Sequence, residues 1–553
     1  MNRFRESIAV VLAHGILFFT SVFDGLLMYA GSFFPRFFQM RILRRVVRSN
    51  TSAGWLERAA VSAVTDWTAR IPQPSDYRDY TDAIDMIRRG VKRVLTNEPV
   101  IVLQPTSGSS EPCKFIPYTA SLRREYRRAV APWLFGLYLR HPSLFFGRHF
   151  WSISPGTPVE GMEHSAVPVG FADDAEYLAP LQAESARRVF AVPPVLGTAC
   201  HGKEFYYRSL LLLVRERDLR LVSVWHPTFF TLMLDELKAR YRMIADDVRY
   251  GTIAGISGRK ENTVPQLQAL HHADPRRADE LDAIDISLES GMAKIWPKLK
   301  VISCWTDARA EEAADYLKRG FPKVHLQPKG LMATEGAVSI PFGRRDQRVA
   351  AVRSHFLEFM KVDGDSILRL WELEVGGRYT VLITTGGGLY RYRLHDIVEV
   401  TGMWHRLPCF RFLGRDGTLC DLVGEKLSDL YVGSVFETMK NVLSPFPFRM
   451  LAPYREGNKC SYVLYLQRNG NRDTDYGSLA SRCETLLGEN YHYRHARRQL
   501  QLDSLRVFEI HGDARRRFIH HMERQGRRRG DVKFPSLSTD SGWHTVFEGG
   551  FVE

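Results

Sequence analysis

Residues 100–114 read VIVLQPTSGSSEPCK. An apolar, β-branched run enters a loop of small hydroxyl residues around one glycine, and a lysine closes it. Such a loop lets the backbone come close to a phosphate and turns N–H groups toward its oxygens. The hydroxyls of Thr106, Ser107, Ser109 and Ser110 add neutral donors, Gly108 leaves room for the approach, and Lys114 brings a positive charge. The stretch is not a Walker loop, because no glycine precedes the lysine and no hydroxyl follows it. Alone, a Ser/Thr/Gly segment is more often only a polar turn. Its meaning depends on what accompanies it along the chain.

Four companions follow in order. GLMATEG (330–336) sets Thr334 beside Glu335 in a small-residue segment. A carboxylate there suits Mg²⁺, a hard cation that takes oxygen ligands and shares them with phosphates. YRYRLHD (390–396) comes after Gly386-Gly387-Gly388, and Asp396 is a candidate acceptor for two ribose hydroxyls. FLGRD (412–416) and then EKL (425–427) supply Arg415 and Lys426. Plainer readings also exist: Glu335 as a helix cap, Asp396 as the ion-pair partner of Arg391 or Arg393, Lys426 as a surface lysine. The order and wide spacing of the set favour a nucleotide site.

Around these motifs the pattern is mixed α/β. Ala120–Leu139 reads as a long helix, 219–237 as a strand, a turn at Pro227 and a helix, and 298–305 (KLKVISCW) as a short buried strand. Residues 262–295 read as polar and helical, with a loop at Asp274-Pro275. Short β-runs between Gly376 and Val423, punctuated by Gly and Asp, suit an antiparallel subdomain. A chain of 553 residues exceeds one ordinary core. The expected division is an apolar helical entry at 1–50, a large domain at 51–414 and a smaller mobile α+β domain at 415–553.

Composition narrows the function classes. Hydrophobic residues at 44% and charged residues at 25% exclude a disordered chain, a fibre and a coiled coil. The net charge of +14 suits anionic partners without choosing among them. RQGRRRG (524–530) lacks interleaved aromatics, so it reads as a solvated loop, and no nucleic-acid partner is expected. Seven scattered cysteines without a Cys-x-x-Cys pair point away from zinc and disulfides and toward a reducing cytoplasm. Residues 7–38 are the most apolar stretch; His14 and Asp24 interrupt it, which favours a buried or surface-docked helical pair. Peripheral membrane contact, helped by Arg41, Arg44, Arg45 and Arg48, is the other reading.

The ordered motifs resemble the adenylate-forming superfamily. More narrowly the chain resembles the Gretchen Hagen family of acyl-acid amido synthetases. That likeness runs through VLTNEPVIVLQPTSGSS (94–110), FIPYT (115–119), FWSISP (150–155), VWHPTFFTLMLDEL (224–237), WPKLKVISCW (296–305), GLMATEGAVSIPF (330–342), YRYRLHDIVEVTG (390–402) and FLGRDGTLCDLVGEKLSDLYVG (412–433). The wording of 296–305 and 331–342 follows the bacterial, auxin-responsive-promoter-like branch. Glu111-Pro112 departs from it, standing where relatives carry small residues. The resemblance implies ATP and Mg²⁺, a carboxylic acid activated as its acyl-adenylate, and an amine or amino acid acceptor. It implies Thr106–Ser110 and Lys114 at the phosphates, Glu335 at the metal with Thr334 beside it at the nucleotide, Asp396 at the ribose and Arg415 at the nucleotide near the hinge. Lys426 would meet the α-phosphate, and Lys533 in GDVKFPSLS would be the late lysine of the smaller domain. Trp225, Phe229 and Phe230 would line the acyl pocket. An acid–thiol ligase, or a membrane-associated relative with weak catalysis, remains the alternative.

Overall fold

The computed structural model describes residues 2–58, 67, 71, 73–106, 114–151, 165–171, 174–199, 202–253, 272–288, 291–344, 347–362, 364–415, 419–420, 422–423, 425, 427–456, 459–468, 470, 474–498, 501–525, 527 and 532–552. It is mixed α/β and divides into two compact units. The larger holds Met1–Thr106, Lys114–Leu394 and Val398–Phe412; the smaller holds Ser107–Cys113, His395–Ile397 and Leu413–Glu553.

The larger unit is built on two main sheets. Four parallel strands lie in the order Arg148–Trp151, Leu219–Ser223, Val301–Cys304, His325–Pro328. Val301–Cys304 is buried along its whole length, which is why the sequence there is continuously apolar instead of alternating. Helix Pro227–Ala239 packs on this layer. Pro227 opens it at the position where a missing N–H costs nothing, and His226 Nδ1 accepts from the Thr228 amide at 3.3 Å. The second sheet has seven strands, in the order Ile367–Arg369, Phe356–Lys361, Arg378–Thr384, Tyr392–Trp404, Leu407–Arg415, Arg348–Ala350, Ser339–Pro341. Helix Ala120–Arg140 starts at Thr119, whose hydroxyl accepts from the Leu122 amide at 3.2 Å, and it carries the core residues Tyr126, Leu134 and Tyr138.

The smaller unit has a mixed sheet, Arg449–Glu456, Lys459–Gln467, Arg506–Ile510, Gly549–Val552, with only the middle pair parallel. Helices Asp429–Thr438 and Tyr476–Leu487 contribute to its core.

One local expectation is corrected. Asp274-Pro275 does not form a loop but opens helix Pro275–Asp282: the Asp274 carboxylate accepts from the Arg277 amide at 3.0 Å, and proline fits the first helical position. Among the described residues Cys304, Cys409, Cys420, Cys460 and Cys483 are free and buried.

Candidate functional site

The loop that begins at Thr106 sits on a β-hairpin. Val102–Pro105 pairs antiparallel with Phe115–Tyr118, and the Thr106 N–H donates to the Lys114 carbonyl at 2.8 Å, closing the base of the connection. Lys114 extends over the Tyr77 ring, 5.6 Å from its centroid, and the Tyr77 hydroxyl accepts from the Phe115 amide at 2.7 Å. Ser107, Gly108, Ser109 and Ser110 lie outside the described residues, as does Lys426. The turn before Lys426 is nevertheless well held. Glu425 is fully buried, and its carboxylate accepts from the amides of Leu422 and Val423 at 2.7 and 2.8 Å and from the Tyr462 hydroxyl.

Thr334 and Glu335 form the two-residue connection of a tight hairpin between Met332–Ala333 and Gly336–Ala337, not a helix cap. The Tyr118 hydroxyl donates to the Thr334 carbonyl at 2.6 Å, tying this turn to the phosphate-loop hairpin. Gly336 is obligatory here, because a Cβ would stand 2.9 Å from the His355 ring. Glu335 is buried, and its negative charge adds to the burial that pushes the Tyr126 hydroxyl up. Among the described residues no group of three or more His, Cys, Asp or Glu side chains gathers to hold a metal. A single carboxylate in a turn still fits Mg²⁺, which commonly takes one or two protein carboxylates and completes its shell with water and substrate phosphates.

Asp396, Arg415 and Lys533 come from three separate motifs, and the fold brings them together in the smaller unit. Asp396 lies on strand Tyr392–Trp404, with its carboxylate 3.4 Å from Arg415 Nε. Burial pushes the Asp396 carboxyl above the usual range, while Arg415, Lys533 and His395 pull it back. His395 holds a left-handed backbone at φ 61, an uncommon conformation for a side-chain-bearing residue, directly before Asp396.

Arg391 and Arg393 are not the partners of this carboxylate. Arg391 is turned the other way into a buried pair, with Nη2 2.7 Å and Nε 3.1 Å from the two carboxylate oxygens of Glu358.

The three aromatics expected at the acyl pocket separate. Phe230 is fully buried beside Trp296 and Phe321, and Phe229 packs on Phe150 and Tyr206; both serve the core behind the parallel sheet. Trp225 is half-buried, just beyond the carboxyl end of strand Leu219–Ser223, with Trp305 beside it at 5.9 Å. The carboxyl ends of parallel strands are where open α/β sheets receive ligands.

Two features escaped the sequence reading. Lys329, just past strand His325–Pro328, lies over the Trp225 face at 4.3 Å and 5.9 Å from the Trp133 centroid. Its place just after a short strand was the only available hint. The other is a buried pair in which His355 Nδ1–H donates to Glu125 at 2.9 Å. That carboxylate also accepts from the Gly386 amide at 2.9 Å, linking the triple-glycine turn to helix Ala120–Arg140. A gap of 230 residues hides such a pair from any local pattern.

Comparison with known proteins fits this arrangement. Residues 35–326 match the GH3 family N-terminal domain, and residues 349–415 match the GH3 family central domain. The probable indole-3-acetic acid-amido synthetase GH3.12 of Oryza sativa subsp. japonica is 22% identical over 567 aligned positions, covering 90% of each chain. The indole-3-acetic acid-amido synthetase GH3.3 of Arabidopsis thaliana is 23% identical, over 78% of this chain and 76% of its own. Among solved structures, the GH3.15 acyl acid amido synthetase in complex with 2,4-DB superposes with a TM-score of 0.82 at 17% identity, over 95% of both chains. A 2-hydroxyisobutyryl-CoA ligase in the postadenylation state has a TM-score of 0.50 at 11% identity, over 86% of both. The first domain match alone spans more than half of the sequence, and the chain belongs to the GH3 family.

Proposed function

We propose that the protein is an ATP-dependent acyl-acid amido synthetase. It joins a carboxylic acid to an amine, most simply an amino acid, and releases AMP and pyrophosphate. The observation that carries the nucleotide part of this reading is the cluster of Asp396, Arg415 and Lys533. A buried carboxylate with two cationic side chains within electrostatic reach suits a ribose and the phosphate that follows it. The acceptor part rests on the family, whose curated members bear the names of amido synthetases.

A carboxylate is a poor electrophile, since its leaving group would be oxide. In the first half-reaction a carboxylate oxygen attacks the α-phosphorus of ATP and pyrophosphate departs. In the second, an amine nitrogen attacks the acyl carbon, loses a proton, and AMP departs. Each residue has a definite task. Thr106–Ser110 and Lys114 bind the phosphates through backbone amides, hydroxyls and one ammonium. Glu335, with Thr334 beside it, supplies the carboxylate for Mg²⁺, which when bound neutralises phosphate charge. Asp396 accepts from the ribose hydroxyls, and Arg415 and Lys533 orient the nucleotide. Lys426 meets the α-phosphate, where charge grows in the transition state. Trp225, at the carboxyl edge of the parallel sheet, offers a flat apolar wall to the acid.

The division at 414/415 would separate an adenylating domain from a carboxyl-terminal domain that moves between the half-reactions, with the crossover near 415–417 as hinge. The cytoplasm, where ATP and free amino acids are present, is the compartment this chemistry needs, and the wording at 296–305 and 331–342 favours the bacterial branch. The test is ATP–pyrophosphate exchange across a panel of carboxylic acids, followed by amines offered to the best acid. Exchange that depends on an added acid supports the reading, and its absence across a broad panel removes it.

A further inference from the structure

Residues 7–35 hold one Asp, Glu, Lys or Arg, namely Asp24, and one histidine, His14. Within helix Asn2–Gly31 these two side chains, Asp24 and His14, turn inward. Asp24 meets Arg353 at 2.8 Å. His14 Nε2–H donates to the Gly147 carbonyl at 2.7 Å, and its Nδ1 accepts from the Tyr138 hydroxyl at 2.7 Å. Burial pushes the His14 imidazole down to about 4, so this neutral arrangement persists at ordinary pH. The same face packs on helix Ala120–Arg140 so closely that a Cβ on Gly25 would stand 2.2 Å from the Phe135 ring.

From Ile8 onward the opposite face carries no charge and is mainly apolar. Leu12, Phe19, Phe23 and Leu26 are 63, 73, 68 and 57% exposed, spaced at helical intervals, and Phe34 and Phe37 continue the surface at 61 and 56%. At 1.5 Å per residue the stripe from Ile8 to Leu26 runs about 27 Å. A contiguous apolar surface of this kind on a folded protein marks an interaction site. Helix Pro35–Asn50 follows, and it exposes Arg36, Arg41, Arg44 and Arg48. No Asp or Glu occurs from residue 25 to residue 56. The family match begins at residue 35, so the apolar helix lies outside the matched region.

We propose that this face docks in the plane of an anionic lipid surface: the stripe from Ile8 to Phe37 enters the headgroup–acyl boundary, and the adjoining arginines meet lipid phosphates. Large aliphatic and aromatic side chains beside an arginine-rich, acid-free helix are what an interfacial helix requires. A protein partner of matching shape would have to be both apolar and acidic along one groove. The helix is long and apolar enough over Ile8–Gly31 to cross a bilayer. Crossing would strip His14 from Tyr138 and Gly147 and Asp24 from Arg353, so an in-plane orientation keeps what a spanning one would break. The inference stands independently of the catalytic reading.

Flotation of the full chain with vesicles tests it, using phosphatidylcholine alone and equal parts phosphatidylcholine and phosphatidylglycerol. Binding to the mixed vesicles is expected, with several-fold weaker binding to the neutral ones and weakening by salt. The variant Phe19→Glu/Phe23→Glu/Leu26→Glu, altered only at exposed positions, should bind at least about tenfold less with unchanged melting. Arg41→Gln/Arg44→Gln/Arg48→Gln should lose the preference for anionic lipid while keeping residual binding. Wild-type protein that stays unbound to both vesicle types overturns the proposal. So does lipid-free self-association that the glutamate variant abolishes, which would make the face a contact between copies. Resistance to alkaline carbonate extraction would show a spanning helix and overturn the in-plane orientation.

Discussion

Replacing Glu358 by glutamine should destabilise the larger unit by an amount that its surroundings fix. The side chains of Arg391 and Glu358 are 2% and 1% exposed, and they meet through two hydrogen bonds of 2.7 and 3.1 Å. Glu358 also accepts from Trp67 Nε1 at 3.3 Å and from Arg369, while Arg391 reaches the Ile71 carbonyl. Glu358→Gln therefore leaves a buried guanidinium without its counter-charge, a change that typically costs about 3–5 kcal/mol. Unfolding entropy near 60 °C is about 2.1 cal/mol/K per residue, or about 0.8 kcal/mol/K for a unit of roughly 400 residues. The melting temperature should then fall by about 4–6 °C. Arg391→Met should cost a similar amount, and Glu358→Leu combined with Arg391→Met should recover most of it, because an apolar pair of similar volume replaces the ions. Differential scanning fluorimetry of the four proteins decides the matter. A shift of about 1 °C or less in Glu358→Gln refutes the reasoning. So would an Arg391→Met variant that melts normally yet loses pyrophosphate exchange, since Arg391 would then be a nucleotide ligand.

Other outcomes are equally specific. Asp396→Ala and Glu335→Ala should each lower acid-dependent exchange about 100-fold or more with unchanged circular dichroism, through lost ribose positioning and lost metal anchoring; wild-type rates would show the roles to be misassigned. Gly336→Ala should reduce both exchange and melting temperature, because the new methyl group meets the His355 ring and displaces the turn that carries Glu335. Stability should fall as pH drops from about 6.5 to about 4, since His14 has its folded-state value lowered to about 4. In that window the unfolded chain binds a proton that the folded chain refuses, a loss approaching about 3 kcal/mol at the lower end. Buried His149, 4.6 Å from His14 between ring centroids, is lowered in the same sense. His14→Gln should flatten the melting-temperature profile there, and an unchanged slope would contradict the assignment.

Much of the architecture was legible because it is locally encoded. The helix read at 120–139 occupies Ala120–Arg140, since Thr119 caps it and its apolar positions recur at helical spacing. The strand read within 298–305 is Val301–Cys304, a buried parallel strand whose unbroken apolar run is its signature. Pro227 opens its helix because proline suits a first turn, and the same rule, overlooked at Asp274-Pro275, turns an expected loop into a helix start. Residue contacts were less legible. The motif around Asp396 offers two arginines, Arg391 and Arg393, and nothing local says that Arg391 faces Glu358 while Arg415, from a separate motif, faces Asp396. The Glu125–His355 pair and the Lys329–Trp225 contact depend on strands and helices brought together over long separations. Phe230 was expected at the pocket only because the family resemblance places its segment near the acyl site; its apolar ring fits a core equally well, and it packs on Trp296.

The acceptor is the most direct test of the whole account. After an acid that supports pyrophosphate exchange is found, the enzyme with its preformed adenylate is offered an amino acid mixture and coenzyme A together, and the products are read by mass spectrometry. The account predicts an amide of one or a few amino acids, formed with stoichiometric AMP. A thioester as the main product would contradict it.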